Sequence, residues 1–423
     1  MLRFFYWIPI LAVSSALAQP VAIVGAHLVR LDGSEPLRDA VVLIEGERIS
    51  QVGSASGTPI PEDARVIRLD DAWLLPGLMN MHVHFGLKLP GAEGARLANE
   101  SVAALALRMA SNARKTLYAG VTTVRQPGDG RRADIALRDS INRGESVGPR
   151  IHSAGEMVDI TGGHGASGPT HDGPYALRRA VRAEIAAGAS WIKIAISGGI
   201  ATQRGGIAAA LMTPDEVEAV IDAAHRLDAK VTAHSGSPLA TSEAVRAGID
   251  CIEHGYLLTR EVLQQMKAAG TWYVPTILVS QPATLPFFER IGSPPWFLER
   301  VRKVGKQHWK ALEMAVEEGA QIALGTDQLP HEPNDGTTAT VREAEYYVQA
   351  GMTPLQALRS ATIEPARMLG VADQVGDLKP GLYADIVAVK SNPLDDISAL
   401  RSLFFVMKGG QVMRGSHAKP LSR

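Results

Sequence analysis

The sequence predicts an α/β fold, and two observations lead to this prediction. Short apolar runs alternate with helical patterns through most of the chain, which is typical of parallel βα units. There are eight such runs, the number that closes a (β/α)8 TIM barrel. The runs are Leu78–Phe85, Val121–Arg125, Arg150–Ala154, Trp191–Ser197, Lys230–Ser235, Cys251–Gly255, Trp272–Val279 and Gln321–Thr326.

The two ends of the chain have a different, β-rich texture. Short β-rich runs alternate with turn signals over residues 21–70, and a similar texture returns in "GLYADIVAVKSNP" and "FFVMKGGQVM". We expect the two ends to pair into one small β-sandwich, which makes that domain discontinuous. The predicted boundaries are residues 19–75 and 373–423 for the β-sandwich and residues 76–372 for the barrel.

The connecting segments carry helix signals and loop signals. In "TPDEVEAVIDAAHRLDA", Thr213 is a credible N-cap, with Pro214 at the first helical position and Glu216 at the third. A second helix is predicted in "TPLQALRSATIEPARMLG", which ends at Gly370. Two Gly-rich segments, "TGGHGASGPTHDG" and "SGGIATQRGGIAAA", follow the third and fourth strands, where a barrel places its active-site loops.

The composition excludes several classes of partner. Of the 423 residues 46% are hydrophobic, which is enough for a large buried core. Lys and Arg number 43 against 44 for Asp and Glu, so no nucleic-acid-binding surface is indicated and we expect a small, roughly neutral partner. The one cysteine, Cys251, has no partner for an internal disulfide, and its place in an apolar run predicts a buried hydrophobe.

The first 18 residues have the pattern of an export signal. Arg3 precedes the apolar stretch 4–13, and small residues follow at Ala16 and Ala18. A retained membrane anchor is the alternative, but the stretch is shorter than the roughly 20 residues that a spanning helix needs. We therefore predict cleavage after Ala18, export to the periplasm or the medium, and no membrane attachment of the mature chain.

Six side chains with metal-binding chemistry fall at the ends of predicted strands. His82 and His84 are two residues apart, so on a strand they point to the same face. In "WIKIAISG" the alternation turns Lys193 toward the barrel interior, where an unpaired ammonium is costly. The other three, which close strands five, six and eight, are His234, His254 and Asp327. Five strands thus aim these residues at one barrel mouth, which predicts a metal site.

These motifs resemble those of the amidohydrolase superfamily of metal-dependent hydrolases. The matching stretches, from about residue 74 to residue 327, are "PGLMNMHVHFG", "GVTTVR", "WIKI", "VTAHS", "IEHG" and "LGTD". Within the superfamily the chain resembles the branch of Xaa-Pro dipeptidases and ochratoxin-hydrolysing amidohydrolases. One stretch departs from the pattern, because "VRQPGDG" stands where "VRDLGG" is expected, so the resemblance does not extend to the loop 125–130.

The resemblance implies a binuclear metal centre with two divalent metals, which we expect to be zinc. The implied ligands are His82, His84 and Asp327 for the more buried metal, His234 and His254 for the other, and Lys193, carbamylated by CO2, for both. Two such metals make water a usable nucleophile near neutral pH. Asp327 is expected to take the proton from that water and pass it to the leaving amine. By the same resemblance we expect a homo-oligomer.

Four further residues are candidates for contact with the substrate, with ordinary packing or solvation as the alternative for each. We assign a catalytic role to His164, which lies in "TGGHG", because an imidazole there can polarise a carbonyl or hold a carboxylate. Tyr256 follows the "IEHG" motif, and Arg204 lies where it can neutralise a terminal carboxylate. His331 follows Asp327 closely and is a candidate contact of a ligand or of the substrate.

The sequence therefore predicts an exported amidohydrolase that cleaves an amide bond to an amino acid with a free carboxylate. A dipeptide, an N-acyl amino acid or an ochratoxin-like amide meets this description. Two alternatives remain open. A cyclic-amide hydrolase of the imidazolonepropionase or hydantoinase type would share all six ligands, and a non-catalytic binding protein on the same barrel would usually have lost one.

Overall fold

The computed structural model describes residues 19–165, 168–203 and 205–415, so the predicted export signal lies outside the described residues. The strands are β1 (Val21–Leu28), β2 (Leu37–Glu45), β3 (Arg48–Ser54), β4 (Arg65–Arg68), β5 (Trp73–Pro76), β6 (Leu78–Asn80), β7 (Val121–Gln126), β8 (Arg150–Ser153), β9 (Trp191–Ala195), β10 (Lys230–Ser235), β11 (Cys251–His254), β12 (Trp272–Val274), β13 (Pro333–Asn334), β14 (Thr337–Thr338), β15 (Ile386–Val389), β16 (Phe405–Lys408) and β17 (Gln411–Arg414). The α-helices are α1 (Ala92–Leu97), α2 (Val102–Tyr118), α3 (Ala133–Asn142), α4 (Pro174–Ala186), α5 (Pro214–His225), α6 (Pro238–Arg246), α7 (Arg260–Ala269), α8 (Leu285–Arg290), α9 (Pro295–Glu318), α10 (Ala339–Gln349), α11 (Pro354–Ser360) and α12 (Ile363–Leu369). In these described ranges no helix combines the length and the apolar character needed to cross a membrane.

Both ends of the chain contribute to one mixed sheet of eight strands. Its order is β17-β16-β15-β5-β1-β2-β3, and β4 pairs in parallel with β1. The two ends meet where β5 and β15 run antiparallel, with Leu75 opposite Val387. The ends therefore do pair, whereas the described strands lie in one sheet and the β-sandwich stays a prediction.

The middle of the chain forms parallel sheets connected by helices. One sheet has the order β6-β7-β8 and the other the order β9-β10-β11-β12. Thr232 of β10 pairs with Lys193 of β9, and Ser235 pairs with His254 of β11, so the carboxyl ends of these strands lie side by side. The α/β fold is therefore confirmed, while the assigned strands fall into separate sheets and the closed barrel stays a prediction.

The predicted helix signals are present, with one correction. At the start of α5 the Glu216 carboxylate accepts a hydrogen bond of 2.9 Å from the backbone N–H of Thr213, and Pro214 opens the helix. The helix predicted up to Gly370 is divided into α11 and α12, because Thr362 between them has non-helical angles. Pro365 lacks an N–H and is tolerated only in the first turn of a helix, which explains the new start.

Two predicted strands are shorter than expected. β6 ends at Asn80, so His82 and His84 lie in the segment after the strand. The Asn80 side chain explains this, because its Oδ1 accepts hydrogen bonds from the backbone N–H groups of His82 and Thr326, both 3.2 Å long. β12 ends at Val274, since a 3-10 turn takes over at residues 277–280.

The eighth predicted strand, residues 321–326, is not a regular strand. Ile322 forms a single parallel bridge with Tyr273, and Leu324 accepts a hydrogen bond from the N–H of Met81. The backbone of this segment thus forms isolated hydrogen bonds instead of the continuous ladder that defines a β-strand. The segment still leads directly to Asp327, as the sequence predicts.

Candidate metal centre

The structure brings the six predicted ligands to one region. They lie after β6 (His82 and His84), on β9 (Lys193), at the carboxyl ends of β10 and β11 (His234 and His254), and after residues 321–326 (Asp327). The ring centroids of His82 and His254 are 4.9 Å apart, and those of His254 and His234 are 4.5 Å apart. Side chains that are distant in the sequence therefore form one continuous group.

Three of these side chains present ligand atoms to a common point. Nε2 of His82 lies 3.2 Å from Nε2 of His84. Oδ1 of Asp327 lies 3.4 Å from the first nitrogen and 3.5 Å from the second. Burial raises the pKa of Asp327 to about 7, against the opposing charge of Lys193. Two imidazoles and one carboxyl group in this arrangement fit a divalent cation such as zinc.

Lys193 is buried beside these groups without a partner. Only 3% of its surface is exposed, and in the described part of the chain no polar atom is hydrogen-bonded to its Nζ. Burial lowers the pKa of this amine to about 8, although the carboxylate of Glu253 opposes the shift. A buried amine left unpaired is costly. The observation fits a lysine whose partner is a group outside the polypeptide.

Hydrogen bonds hold each histidine ring in a defined orientation. His82 donates from Nδ1 to Glu253 over 2.6 Å, and His84 donates from Nδ1 to the backbone carbonyl of Gly128. Both rings therefore leave Nε2 free toward Asp327. His234 differs, because its Nε2 lies 3.1 Å from the carbonyl oxygen of Gly198 and Nδ1 is the free nitrogen. Such partners orient metal-binding imidazoles and select their tautomer.

Glu253 and Arg125 form a buried ion pair that sequence reasoning missed. Both side chains are fully buried, and Arg125 also donates a hydrogen bond of 2.7 Å to the carbonyl of Met81. Burial alone would raise the pKa of Glu253, but Arg125 and His82 outweigh it and keep the pKa well below its usual range. The available signal was a charged residue inside each of two apolar strands, since buried charges need partners.

Two of the candidate ligands have backbone angles that are rare for residues other than glycine. His254 has a φ of 63° and Asp327 a φ of 49°. Thr276, which hydrogen-bonds Nδ1 of His254 through its hydroxyl over 2.7 Å, also has a φ of 49°. Left-handed angles at such residues cost free energy and cluster at functional sites. The strained backbone therefore lies at two candidate ligands of the predicted metal centre and at the hydrogen-bond partner of one of them.

The loop that departs from the family pattern supports His84 and the residues after it. Gln126 accepts a hydrogen bond of 3.3 Å from the N–H of Phe85, and Asp129 accepts one of 3.1 Å from the N–H of Gly86. A Cβ atom on Gly86 would lie 2.6 Å from Oδ1 of Asp129, so glycine is required there. The loop therefore has a positioning role despite its different sequence.

A small cavity lies over the predicted ligands, with a polar and an apolar side. The polar side consists of His164, His234, His254, Tyr256 and Asp327. The apolar side consists of Leu89, Ile200, Ala201, Val279, Phe288 and Phe297. We call these six apolar residues the roof. The floor thus carries the chemistry, while the roof contributes only hydrocarbon surface.

The structure brings two of the four predicted substrate contacts to this cavity. The ring of His164 stacks on that of His234 with centroids 4.0 Å apart, and Tyr256 stacks on His254 at 5.2 Å. Gly199 makes room for His164, because a Cβ atom there would lie 2.3 Å from the imidazole. His331 does not line the cavity and its Nδ1 lies 3.2 Å from the hydroxyl of Thr116. Arg204 lies outside the described residues.

The chain belongs to the amidohydrolase family, which it matches over residues 73–415. It is 30% identical to ochratoxinase from Aspergillus niger over 451 aligned positions, which cover 97% of this chain and 90% of that protein. A solved structure of a Xaa-Pro dipeptidase with methionine bound in the active site is similar with a TM-score of 0.85 and 32% identity, covering 94% of this chain and 100% of that one. A prolidase complexed with N-methylphosphonate-L-proline gives a TM-score of 0.84 at 28% identity, with the same two coverages.

The family and these relatives define the class of protein. The chain is an enzyme of the amidohydrolase superfamily that hydrolyses amide bonds, in the branch that includes ochratoxinase and Xaa-Pro dipeptidases. The family generally uses divalent metals, and the cluster of His82, His84 and Asp327 fits this use. The α/β fold and the position of the candidate ligands near the strand ends agree with the amidohydrolase motifs in the sequence.

Proposed function

We propose that this protein is an exported, binuclear-metal amidohydrolase that releases an amino acid with a free carboxylate from an amide. One observation carries the proposal. The ligand atoms of His82, His84 and Asp327 meet at one point, and beside them lies Lys193, a buried amine without a partner in the described residues. A carbamate on this lysine supplies the missing negative charge and a bridging carboxylate-like group.

Each ligand has an assigned position in the proposed centre. His82, His84 and Asp327 would hold the more buried zinc ion, His234 and His254 would hold the other, and carbamylated Lys193 would be a ligand of both. When bound, the two metals polarise the substrate carbonyl and lower the pKa of water. Asp327 lies at the open side of the centre, with its side chain 23% exposed, where it can take a proton and deliver it to the leaving amine.

The substrate is held by residues of the cavity wall. His164 lies on the polar side of the cavity and is proposed to polarise the scissile carbonyl or to hold the carboxylate. The hydroxyl of Tyr256 supplies a further donor, and we propose Arg204 as the cation that neutralises the terminal carboxylate. We retain His331 only as a contact outside the cavity, because it does not line the cavity and its Nδ1 lies 3.2 Å from the hydroxyl of Thr116.

The relatives support an amide that contains an amino acid. Their names specify a dipeptidase for Xaa-Pro and an ochratoxinase, and one relative binds a derivative of L-proline. Dipeptides, N-acyl amino acids and ochratoxin-like amides are therefore the proposed substrate class. Oligomerisation of identical chains is proposed from the superfamily resemblance alone.

We also propose that the two parallel sheets belong to one (β/α)8 barrel, flanked by a β-sandwich that the chain ends build. Single backbone contacts support closure across the three gaps between the assigned strands. They are Ser190 to Ser153, Ile322 to Tyr273, and Met81 to Leu324. These contacts link the segments in the order of a closed barrel, in which residues 321–326 take the place of the eighth strand.

A substrate panel tests the proposed function. The purified enzyme, supplied with zinc, is incubated with dipeptides, N-acyl amino acids, the matching C-terminal amides, and cyclic amides of the hydantoin type. We expect amino-acid release from the first two groups and a lower kcat/KM for the C-terminal amides. Equal kcat/KM for acid and amide would refute carboxylate recognition, and turnover of cyclic amides alone would assign the enzyme to the alternative class.

A further inference from the structure

The roof of the cavity is a preassembled aromatic and aliphatic surface. Phe288 of α8 and Phe297 of α9 are each 2% exposed, and their rings meet edge to face with centroids 4.9 Å apart. Phe287 and Trp296 extend this group on either side, at 5.5 Å and 5.9 Å. Edge-to-face aromatic pairs resist displacement because both packing and ring electrostatics favour the geometry. The two phenylalanines therefore form a firm upper limit to the cavity.

Two further contacts hold the rest of the roof in place. Arg300 of α9 donates hydrogen bonds to the carbonyl oxygens of Gly199 and Gly205, at 2.9 Å and 2.5 Å. These bonds tie the Gly-rich loop that carries Ile200 to α9. On the other side, Glu343 accepts hydrogen bonds from the N–H groups of the turn that carries Val279. Hydrogen bonds within the protein thus hold the two segments that carry Ile200 and Val279.

The space beneath the roof is small, and among the described residues no charged side chain lies on its apolar side. The cavity measures about 50 Å³. A cavity of about 150 Å³ is known to hold a benzene ring. A charged substituent there would lose its hydration without gaining a partner. The described lining of the cavity therefore favours a short aliphatic group over a ring or a charged group at the roof.

We infer that the roof, through Phe288 and Phe297, restricts the alkyl group of the acyl half, or the side chain of a dipeptide's N-terminal residue, to a small uncharged aliphatic group. This inference rests on the proposed function. There the charged groups of the substrate, which are the amino-acid carboxylate and the α-amino group of a dipeptide, stay beside the polar side of the cavity, at His164 and Tyr256. The alkyl part of the acyl half is therefore the part that faces hydrocarbon. Within the proposed substrate class, the enzyme is thereby directed to short N-acyl amino acids and to dipeptides with small aliphatic N-terminal residues. Amides with ring-sized acyl groups, including the ochratoxin-like amides, become poor substrates.

The test compares acyl groups on one amino acid. N-acetyl, N-isobutyryl, N-benzoyl and N-succinyl derivatives of the same amino acid are assayed with the zinc-loaded enzyme and with the variants Phe297→Ala, Phe297→Leu and Phe287→Ala. Phe287 is the matched control, because it lies beside Phe288 on α8 but lines a different cavity on the outer face of the helix. Metal content and thermal unfolding are measured for every variant.

We expect the parent enzyme to prefer the isobutyryl over the benzoyl and succinyl substrates by at least tenfold in kcat/KM. Phe297→Ala should raise the ratio of kcat/KM for the benzoyl substrate to kcat/KM for the acetyl substrate at least tenfold. In Phe297→Leu, which keeps apolar packing, this benzoyl-to-acetyl ratio of kcat/KM should lie between the values of the parent and of Phe297→Ala. In Phe287→Ala it should equal the parent value. If the parent enzyme prefers the benzoyl substrate, or if both Phe297 variants keep the parent ratio of kcat/KM, the size restriction is wrong while the proposed function still stands. No release from any N-acyl amino acid by any form would overturn the proposed function, and this inference with it.

Discussion

Glu253 and His82 are joined across the interior of the protein, with Oε2 of Glu253 2.6 Å from Nδ1 of His82 and both side chains buried. The same carboxylate also pairs with Arg125 and accepts a hydrogen bond from Thr232. One buried group therefore connects the histidine pair after β6 to β7, β10 and β11. The orientation of a candidate ligand is decided by a residue that lies on another strand and has no place in the ligand set.

Glu253→Gln should weaken both metal binding and folding. Gln keeps the shape but loses the charge, so Arg125 is left buried without a counter-charge and His82 loses its strongest orienting partner. Breaking a buried pair in this way costs about 3–5 kcal/mol. Loss of such a support reduces metal affinity roughly 10–100-fold. Chelator titration followed by metal analysis, together with denaturant unfolding, measures the two effects.

Glu345→Gln is the matched control for that variant. Glu345 is also buried and ion-paired, with Arg401 and Arg342, but it lies on α10 away from the ligands. We expect it to lower stability while leaving metal affinity unchanged. Equal metal affinity in the parent and in Glu253→Gln would show that Glu253 serves folding only.

Lys193→Ala should remove most of the bound metal and the activity, because the bridging group is lost. We expect about two metals per chain in the parent enzyme and clearly fewer in the variant, measured by elemental analysis. Lys230→Ala is the control, since Lys230 opens the neighbouring strand β10 and its amine binds the carbonyl of Met368 instead. Full activity in Lys193→Ala would rule out the bridging role.

Asp327→Asn should reduce kcat more than it reduces metal binding. Asn retains an oxygen ligand but takes up no proton, so the expected loss in kcat is on the order of a hundredfold or more. Asp335→Asn is the control, because Asp335 is exposed and pairs with Arg342. Steady-state kinetics with parallel metal analysis separates the two effects. A parent-like kcat with normal metal content would place the proton transfer on another group.

Glu343 should give the protein a stability that depends on pH. Burial raises its pKa to about 8 in the folded state, against about 4.3 in an unfolded chain. Between these values the folded state holds one more proton, so this contribution is complete at low pH and is lost as the pH rises toward 8. The free energy of unfolding of the parent relative to Glu343→Gln should therefore fall by up to about 1.4 kcal/mol per pH unit between about pH 6 and pH 8. Parallel pH profiles of the two proteins in urea unfolding would contradict this.

Export should remove the first 18 residues. The charged start, the short apolar stretch and the small residues at Ala16 and Ala18 are the reasons for this prediction. N-terminal sequencing of the protein from the periplasm or medium of its native host should begin at Gln19. A protein that still begins at Met1 in the cytoplasm would refute it.

The sequence alone determined the α/β class and the six candidate ligands. Side chains alternate between the two faces of a strand, and parallel strands present their carboxyl ends at one edge of a sheet. Both rules apply to short stretches of sequence, so Lys193 and His234 were found from "WIKI" and "VTAHS". Helix signals such as Thr213 and Glu216 are equally local, and both are present as predicted.

Only the tertiary structure decided what surrounds those ligands. Glu253 and Arg125 are 128 positions apart, and a single sequence does not indicate which residues on distant strands will be in contact. Strand ends were misjudged for a related reason, because at the end of β6 the Asn80 side chain accepts hydrogen bonds from the N–H groups of His82 and Thr326, which are far apart in the sequence. The roof arises in the same way, since Ile200, Phe288 and Phe297 meet only after α8 and α9 fold over the loops, and their packing is set by three-dimensional shape rather than by any pattern along the chain.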